Sequence, residues 1–336
     1  MKFYSLQILR GLSAMIVVVF HVFEYADVRP FGYMFAAQPA VDVFFLLSGF
    51  IILYTLNQKD GGLQFFIRRF FRIYPLYFII LVIHLFIIYP FDNSQQYWNK
   101  LAFNLFFIPF GENLYNSFIV GVAWSTSFEW YFYILITIFL MFKLQKRRLS
   151  IFLIFILFTV YFVNRYLMPY IVSNPEPNKS ISMIPGSYHI FMFLLGVVIF
   201  LFYDRIKKFG SRNLILLSFL ISNILFMTLA LMPYHPLFAL FVVPLVFISW
   251  LKVEINGLFQ FERFVSRALI YLGEISFSIF LSHMIFVKIF MPIAKESVYL
   301  YALLVLILTI LFSSISFKYI ETYFIRIGKV LNEKLS

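Results

Sequence analysis

Ten long apolar stretches restrict the fold of this chain more than any other feature. Their approximate bounds are 6–26, 37–57, 73–90, 121–142, 149–170, 188–203, 213–232, 236–251, 269–290 and 299–320. A helix needs about 20 apolar residues to cross the hydrocarbon core of a bilayer, so each stretch is a candidate span. Backbone polar groups in lipid must be satisfied within the span, which predicts helices. Continuous apolar runs exclude the alternating strands of a membrane β-barrel.

Composition agrees with this interpretation and excludes a soluble fold. Hydrophobic residues make up 62% of the 336-residue chain and charged residues 12%, whereas a soluble domain has roughly 45–50% and about 25%. We predict an all-α integral membrane protein, a bundle of about ten transmembrane helices that forms a single domain over 1–336 without a separate soluble domain. The stretch Trp98–Phe110 is shorter, and we expect an interfacial or re-entrant helix there.

The distribution of positive charge predicts the orientation. The net charge is +12, and basic residues concentrate in alternate loops when the N-terminus is placed inside. The outer segments then carry Arg29, Lys100, Arg165, Lys179, Lys288 and Lys295. All other Lys and Arg residues fall on the inner side, so we predict that both termini are cytoplasmic. This topology accounts for the basic charge without a nucleic-acid partner. Cysteine is absent, and no metal-binding motif such as H-E-x-x-H occurs, so we predict no metal site.

Ionisable residues within spans are candidates for function, because each costs about 2.5–3.5 kcal/mol on insertion scales. The first span carries Arg10 near the cytoplasmic interface and His21 in the outer half. Asp42 enters the second span from the outer side at a similar depth. A carboxylate beside an imidazole fixes its tautomer and raises its basicity. The alternatives are a snorkelling Arg10, a His21 that hydrogen-bonds across helices, and an Asp42 that caps its helix.

A cluster of arginines precedes the third span. Arg68, Arg69 and Arg72 lie at its cytoplasmic side, and Arg69 and Arg72 share one helix face. Guanidinium groups suit phosphates through bidentate hydrogen bonds. The alternative is ordinary anchoring of the span by positive charge or by lipid headgroups. Pro75 is expected to kink or to start this span.

The fourth span opens with aromatic and hydroxyl side chains around a carboxylate. Trp124, Ser125 and Ser127 precede Glu129, which we place one to two turns inside the outer boundary. Such a surface suits a saccharide, whose apolar face stacks on rings while its hydroxyls find polar partners. The alternative is an aromatic belt in which Glu129 pairs with Arg165 or Lys288.

Histidines differ in their predicted positions. His283 is carried to the outer half by the ninth span, whereas His84, His189 and His235 are expected to be peripheral. The arginine cluster is thus predicted at the cytoplasmic face. His21, Asp42, Glu129 and His283 are predicted in the outer half, on four different helices.

Six motifs together resemble the acyltransferase family 3 membrane proteins, which are bacterial integral-membrane O-acyltransferases. The matching residues are Arg10 with His21, Val41–Phe50, Arg68-Arg69 with Arg72–Pro75, Trp124–Glu129 with Phe132-Tyr133, Leu272-Gly273 with Ile275–Ser278 and His283, and Tyr319–Glu321. They occur in the order of the family and cover most of the chain.

The resemblance implies an enzyme of the bacterial cytoplasmic (inner) membrane. It would move an acyl group, usually acetyl, from cytoplasmic acyl-coenzyme A to a surface or lipid-linked saccharide. No cofactor would be bound permanently, because acetyl-coenzyme A is a substrate. His21 would be the base or a transient acyl carrier, oriented by Asp42 or by Glu129.

The resemblance also suggests roles for the remaining candidates. Arg10, Arg68, Arg69 and Arg72 would bind the phosphates of coenzyme A. The candidates for the oxyanion or acceptor site are Trp124, Ser125, Ser127 and His283. The alternative function is a polytopic transporter or flippase for a saccharide or lipid-linked sugar, against which we find neither an inverted repeat nor paired broken helices. A structural or sensory membrane protein would leave the buried ionisable residues unexplained.

Overall fold

The computed structural model describes residues 3–28, 37–56, 61–89, 91–111, 114, 116–167, 184–258 and 264–334. Within these ranges the secondary structure is helical and contains no strand, which confirms the all-α prediction. Arg29 and Lys179 of the predicted outer segments lie outside the described residues, as does the end of the fifth predicted span, 168–170.

The described residues form fourteen α-helices, α1 to α14 in chain order. They are α1 (Tyr4–Tyr25), α2 (Gln38–Thr55), α3 (Gly62–Ile87), α4 (Gln95–Leu105), α5 (Ala123–Met141), α6 (Lys146–Phe162), α7 (His189–Leu201), α8 (Tyr203–Lys208), α9 (Arg212–Leu231), α10 (Pro236–Ile255), α11 (Phe264–Glu274), α12 (Ser276–Ala294), α13 (Val298–Ser316) and α14 (Thr322–Lys334). Two π-helical turns, Val163–Leu167 and Phe317–Glu321, follow α6 and α13.

Eight segments of the described chain are long and apolar enough to cross a membrane. They are Tyr4–Tyr25, Gln38–Thr55, Gly62–Ile87, Lys146–Tyr166, Arg212–Leu231, Pro236–Ile255, Ser276–Ala294 and Val298–Lys334. Helices α5 and α7 coincide with the other two predicted spans but are not among the eight, and α7 has only 13 residues. A multi-pass membrane protein is therefore supported, whereas the count of ten and the cytoplasmic termini stay predictions.

Two predicted spans have different limits in the structure. Helix α3 begins at Gly62, well before the predicted start at 73, so Pro75 lies inside the helix and does not start it. The arginine cluster consequently occupies the second and third turns of α3. The predicted ninth span is divided at Ile275 between α11 and α12. There the Ser276 hydroxyl donates to the carbonyl of Gly273 at 2.8 Å, a local bond that competes with helix continuation.

The chain forms two compact units. The first comprises Met1–Thr55, Phe191–Phe280 and Phe290–Ile310, and the second comprises Leu56–Ile190, Leu281–Ile289 and Leu311–Ser336. His21 and Asp42 belong to the first unit, and the arginine cluster and Glu129 belong to the second. The prediction of a single domain is not tested by this division.

In the first unit, α1 packs against α11, α2 and α10. Its backbone meets that of α11 so closely that a methyl group on Gly11 would lie 2.7 Å from the amide nitrogen of Gly273. The Glu254 carboxylate of α10 accepts hydrogen bonds from the amides of Tyr4 and Ser5, at 2.7 and 3.0 Å, and from the Ser5 hydroxyl at 2.7 Å. These bonds satisfy amides that the first turn of a helix otherwise leaves without acceptors.

In the second unit, α3 packs against α5 and α14. Gly62, at the start of α3, lies against the backbone of Thr137 near the end of α5, so the two helices run antiparallel. The buried side chain of Asn104 on α4 forms two hydrogen bonds with the loop that follows the helix. It donates to the carbonyl of Ser117 at 3.0 Å and accepts from the amide of Ile119 at 2.7 Å. The Tyr77 hydroxyl of α3 donates to the Asn104 carbonyl at 2.7 Å, which joins α4 to α3.

Candidate active site

His21 is held by its own helix in one tautomer. Its Nδ1 lies 3.0 Å from the carbonyl oxygen of Val17, and its side chain is 18% exposed. A carbonyl oxygen only accepts, so Nδ1 carries the proton and Nε2 carries the lone pair. This arrangement leaves Nε2 as the basic atom of a neutral imidazole.

Glu24 is the acidic neighbour of this imidazole, and the sequence analysis missed it. Its Oε2 lies 3.9 Å from Nε2 of His21, and its side chain is 40% exposed. A protonated His21 would therefore form an ion pair with Glu24. The spacing of three residues on one helix was the signal that could have identified the pair.

Asp42 is fully buried and accepts a short hydrogen bond from a loop tyrosine. The Tyr234 hydroxyl, in the loop between α9 and α10, donates to Asp42 Oδ2 at 2.6 Å. Helix α2 begins at Gln38, so Asp42 lies in its second turn. The alternative prediction that Asp42 caps this helix is therefore wrong. The contact places the start of α2 and the α9–α10 loop at one end of the first unit, as the predicted alternation of spans requires.

Tyr234 was not found from the sequence, because nothing in a short loop distinguishes a tyrosine that reaches another helix. The role of Asp42 in orienting His21 stays a prediction, and the carbonyl of Val17 already fixes the tautomer of His21.

Arg10 is half-buried near the start of α1. It precedes His21 by eleven residues, or roughly 16 Å at about 1.5 Å per residue.

Arg69 lies beside two aromatic rings of the second unit that contact each other edge to face. Its guanidinium carbon is 5.3 Å from the ring centroid of Phe65 and 5.3 Å from that of Tyr133. The Tyr133 hydroxyl is 3.4 Å from Oε2 of Glu129, a long hydrogen bond, and Glu129 is within electrostatic range of Arg69. Cation, ring and carboxylate therefore form one cluster on α3 and α5.

This cluster corrects the predicted separation of Glu129 from the arginines. Gly62, the first residue of α3, lies opposite Thr137 of α5. Arg69 follows Gly62 by seven residues, and Glu129 precedes Thr137 by eight residues on the antiparallel α5. At about 1.5 Å per residue, Arg69 and Glu129 then lie at nearly the same height. Glu129 interacts with Tyr133 and with Arg69. The alternative ion pair with Arg165 or Lys288 is not tested by these contacts.

Arg68 and Arg72 accompany Arg69 on the same segment. All three are half-buried, and Arg69 is within electrostatic range of both neighbours. Three like charges within two helical turns repel one another, so their arrangement favours an anion nearby. The cluster retains the properties expected of a phosphate site.

The serines of α5 already donate to their own helix. The Ser125 hydroxyl donates to the carbonyl of Val122 at 3.1 Å, and the Ser127 hydroxyl donates to the carbonyl of Trp124 at 2.6 Å. Both serines are buried, and Trp124 is buried beside them. A serine that stabilises an oxyanion here would first rotate away from its carbonyl. Their role as oxyanion donors stays a prediction.

His189 is not peripheral, which corrects the sequence analysis. It is fully buried at the start of α7. Its ring lies 5.2 Å from that of Trp124, 5.5 Å from that of Phe128 and 4.1 Å from that of Tyr188. His84 is also fully buried, whereas His235 is exposed as expected. Sequence patterns did not show which of these residues turn inward.

His283 and Glu321 are further buried ionisable residues of the second unit. The neighbour of His283, Ser282, shares a hydrogen bond of 3.3 Å with Ser313 of α13. Glu321 closes the second π-helical turn, which packs against α3, the helix of the arginine cluster. The motif Tyr319–Glu321 carries part of the family resemblance, but the sequence predicts no role for Glu321.

The described residues contain no group of acidic or histidine side chains arranged to hold a metal ion.

Comparison with known proteins identifies a family over nearly the whole chain. The family model described as an acyltransferase domain, acyltransferase family 3, matches residues 3–318. Acyltransferase MdmB from Streptomyces mycarofaciens is 33% identical over 118 residues, which cover 33% of this chain and 30% of that protein. The match thus spans less than a third of the length of this relative. No solved structure matches the chain.

Proposed function

The chain belongs to the acyltransferase family 3 membrane proteins, and we propose that it moves an acetyl group from cytoplasmic acetyl-coenzyme A to a hydroxyl of a cell-surface or lipid-linked saccharide. The observation that carries this proposal is the tautomer of His21, whose Nε2 is left as a base within an apolar span. The protein would lie in the bacterial cytoplasmic membrane with about ten spans and both termini inside.

The proposed reaction is an acyl transfer from sulfur to oxygen. Nε2 of His21 takes the proton of the acceptor hydroxyl while the oxygen attacks the thioester carbonyl carbon. A tetrahedral intermediate forms, its carbon–sulfur bond breaks, and coenzyme A leaves as a thiolate that is then protonated. In the second version Nε2 itself attacks the thioester and coenzyme A leaves as a thiolate. The acetyl-imidazolium then passes its acetyl group to the hydroxyl, whose proton goes to the thiolate as the carbon–nitrogen bond breaks.

Two carboxylates of the first unit are assigned roles in this proposal, Glu24 and Asp42. Glu24 lies 3.9 Å from Nε2 and would stabilise the imidazolium that forms after proton transfer. Asp42 is buried and accepts a hydrogen bond from Tyr234, and it is the second carboxylate that we assign to this site. We propose that Asp42 supports catalysis and that Glu24 is the direct partner of the protonated ring.

The arginine cluster is proposed to bind the donor. Arg68, Arg69 and Arg72, together with Arg10, would contact the phosphates of coenzyme A. Cation–π contacts with Phe65 and Tyr133 would hold the Arg69 guanidinium in place. Glu129, bound to Tyr133, would then orient this arginine, in place of its predicted role beside His21.

The acceptor is proposed to be a saccharide because of the rings around α5. Trp124, Phe128 and His189 form a buried aromatic cluster, and the half-buried ring of Tyr188 joins it at its accessible side. Rings of this kind stack on the apolar faces of sugars. A transporter for saccharides would use the same surface, but membership of an acyltransferase family favours the enzyme.

The test is acetyl transfer by the purified full-length chain in proteoliposomes. Labelled acetyl-coenzyme A is supplied on one side with saccharide from the bacterial envelope, and released thiol and alkali-labile label on the saccharide are measured. We expect both products with the wild type and neither with His21→Ala. His235→Ala, which changes an exposed histidine, is the matched control. Saccharide transport without thiol release would instead identify a transporter.

A further inference from the structure

Lys288 has one lysine and one histidine within electrostatic range in the second unit, away from the arginine cluster. Lys100 lies on α4, Lys288 on α12 and His84 on α3. Lys288 is within electrostatic range of both Lys100 and His84. Both lysines are half-buried. Sequence analysis placed these lysines in outer segments without assigning them a function.

No carboxylate pairs with either lysine in the part of the chain that the structure describes. The Lys100 ammonium donates to the carbonyl of Asn116 at 3.0 Å and lies 5.2 Å from the ring centroid of Tyr89. Asp92, the acidic residue in the segment just before α4, is exposed and accepts hydrogen bonds from the amide and the hydroxyl of Ser94. Burial lowers the pKa of Lys100, and the charge of Lys288 lowers it further. Like charges out of water are costly unless an anion joins them.

His84 adds a buried polar atom to this cluster. The residue is fully buried, and its Nδ1 donates to the carbonyl of Ile80 at 2.9 Å. Its Nε2 has no hydrogen-bond partner among the described residues, although buried polar atoms almost always have one. An anion beside Lys288 would provide that partner by favouring the imidazolium form, because Nδ1 already carries the proton of the neutral ring and only the imidazolium has an Nε2–H to donate.

Exposed apolar side chains surround the same end of α3. Phe86 is 86% exposed and Phe91 is 69% exposed. The rings of Phe91 and Trp98 are 5.7 Å apart, and Tyr89 stacks on Tyr97 at 5.5 Å. Aromatic side chains of this kind lie at the level of lipid headgroups, with hydrocarbon on one side and phosphate on the other.

We propose that Lys100, Lys288 and His84 bind the phosphate group of a ligand carried on a hydrocarbon chain. The two ammonium groups supply opposite charge, the imidazole supplies a third donor, and the surrounding apolar surface accommodates the chain. If the proposed function holds, a lipid-linked saccharide presents its phosphate here while its sugar reaches the acyl group.

The test measures lipid binding to the full-length chain in detergent by native mass spectrometry, with no acyl donor present. The probes are a polyprenyl phosphate, phosphatidylglycerol, uncharged diacylglycerol and inorganic phosphate. We expect both phosphate lipids to bind and diacylglycerol to bind weakly. Tighter binding of the polyprenyl phosphate identifies a lipid-linked saccharide as the ligand, and equal binding identifies any lipid phosphate; both support the site.

Variants test the three residues separately. Lys100→Gln, Lys288→Gln and His84→Phe should each weaken binding of the phosphate lipids about tenfold, since each removes a hydrogen bond to a charged group. Lys288→Arg keeps the charge and should bind normally. Lys295→Gln removes an exposed lysine from the end of the same helix and serves as the matched control.

Three results would overturn the proposal. Wild-type binding by both glutamine variants would place the phosphate elsewhere. Equal binding of diacylglycerol would show that charge is not recognised. Displacement of the lipid by an equal concentration of inorganic phosphate would identify a site for free phosphate. Unfolding midpoints, measured in parallel and compared with Lys288→Arg, separate loss of binding from loss of folding.

Discussion

The hydroxyl of Tyr234 donates to the buried carboxylate of Asp42 at 2.6 Å, across 192 positions of the sequence. A hydrogen bond to an ionised acceptor is shorter and stronger than one between neutral groups. This bond therefore stabilises the negative charge of Asp42 within an apolar unit. It also attaches the loop between α9 and α10 to the second turn of α2.

Removal of this hydroxyl should reduce both stability and turnover. In Tyr234→Phe the ring remains, but Asp42 loses a donor, which costs about 1.5–3 kcal/mol for a bond to a charged group. We expect a lower unfolding midpoint in detergent and slower acetyl transfer. Tyr299→Phe, at a tyrosine that is 90% exposed, controls for the loss of a hydroxyl. Equal midpoints in the two variants would contradict the assigned role of the bond.

Asp42→Asn should lower turnover strongly and leave donor binding nearly intact. The amide oxygen of asparagine can still accept from Tyr234, so the loop stays attached while the negative charge is lost. Turnover is measured by thiol release and donor binding by calorimetric titration with acetyl-coenzyme A. Unchanged turnover would leave Asp42 with a structural role alone.

Loss of His21 should abolish transfer without affecting membrane insertion. His21→Ala removes the only atom that we propose as base or acyl carrier, and a small apolar residue is well tolerated in a span. The measurement is acetyl ester on the surface saccharides of cells that express the variant, normalised to protein in the membrane fraction. Normal ester content would remove His21 from the mechanism.

Arg72→Lys should weaken acetyl-coenzyme A binding by about 1–2 kcal/mol, or roughly 5–30-fold, because lysine cannot reproduce the bidentate fork of arginine. Binding should also weaken as the salt concentration rises. Calorimetric titration at two salt concentrations checks both effects. Arg148→Lys, at an exposed position on α6, is the matched control.

Arg69→Lys extends this test to the stacked arginine. A lysine there changes the cation–π contacts with Phe65 and Tyr133 and also loses the fork, so its affinity should fall at least as far. If Arg69→Lys and Arg72→Lys both retained wild-type affinity, the donor would bind elsewhere. Arg10 and Arg68 would then be the next residues to change.

Gly49→Ala should destabilise the first unit. A methyl group at this position would overlap the carbonyl of Phe193 on α7, and overpacking of this kind costs about 1–3 kcal/mol. Gly121→Ala adds the same group where no atom lies within 4 Å. Thermal unfolding in detergent should separate the two variants. Equal midpoints would mean that α2 and α7 move apart without cost.

The positions of most helices could be predicted from the sequence, because lipid requires long apolar runs with internally bonded backbones. Helix limits were less accurate where polar residues continue a helix, as in the early turns of α3. The break at Ile275 was missed because the apolar pattern continues through it, while the local bond from Ser276 is visible only in the structure.

Side-chain partners were harder to predict than helices. Hydropathy predicts how deep Asp42 lies in the membrane, but it does not predict that the hydroxyl of Tyr234, in a loop, donates to its carboxylate. The link between Glu129 and Arg69 depends on how far α3 extends along α5, which no local pattern records. His84 and His189 were assigned to the periphery because the apolar pattern shows that a helix crosses the membrane without showing which face is inward.

The attachments of α1 limit how the first unit can move during catalysis. Glu254 of α10 holds the first turn of this helix through three hydrogen bonds, and seven residues along, Gly11 abuts the backbone of Gly273. A piston-like displacement of α1 along its neighbours would break the three bonds to Glu254 and would carry the bulkier residues that flank Gly11 towards the backbone of Gly273. His21 therefore keeps a constant height relative to α10 and α11. The proton or acetyl group it handles must be brought to that height by rotation of the imidazole and by travel of the substrates.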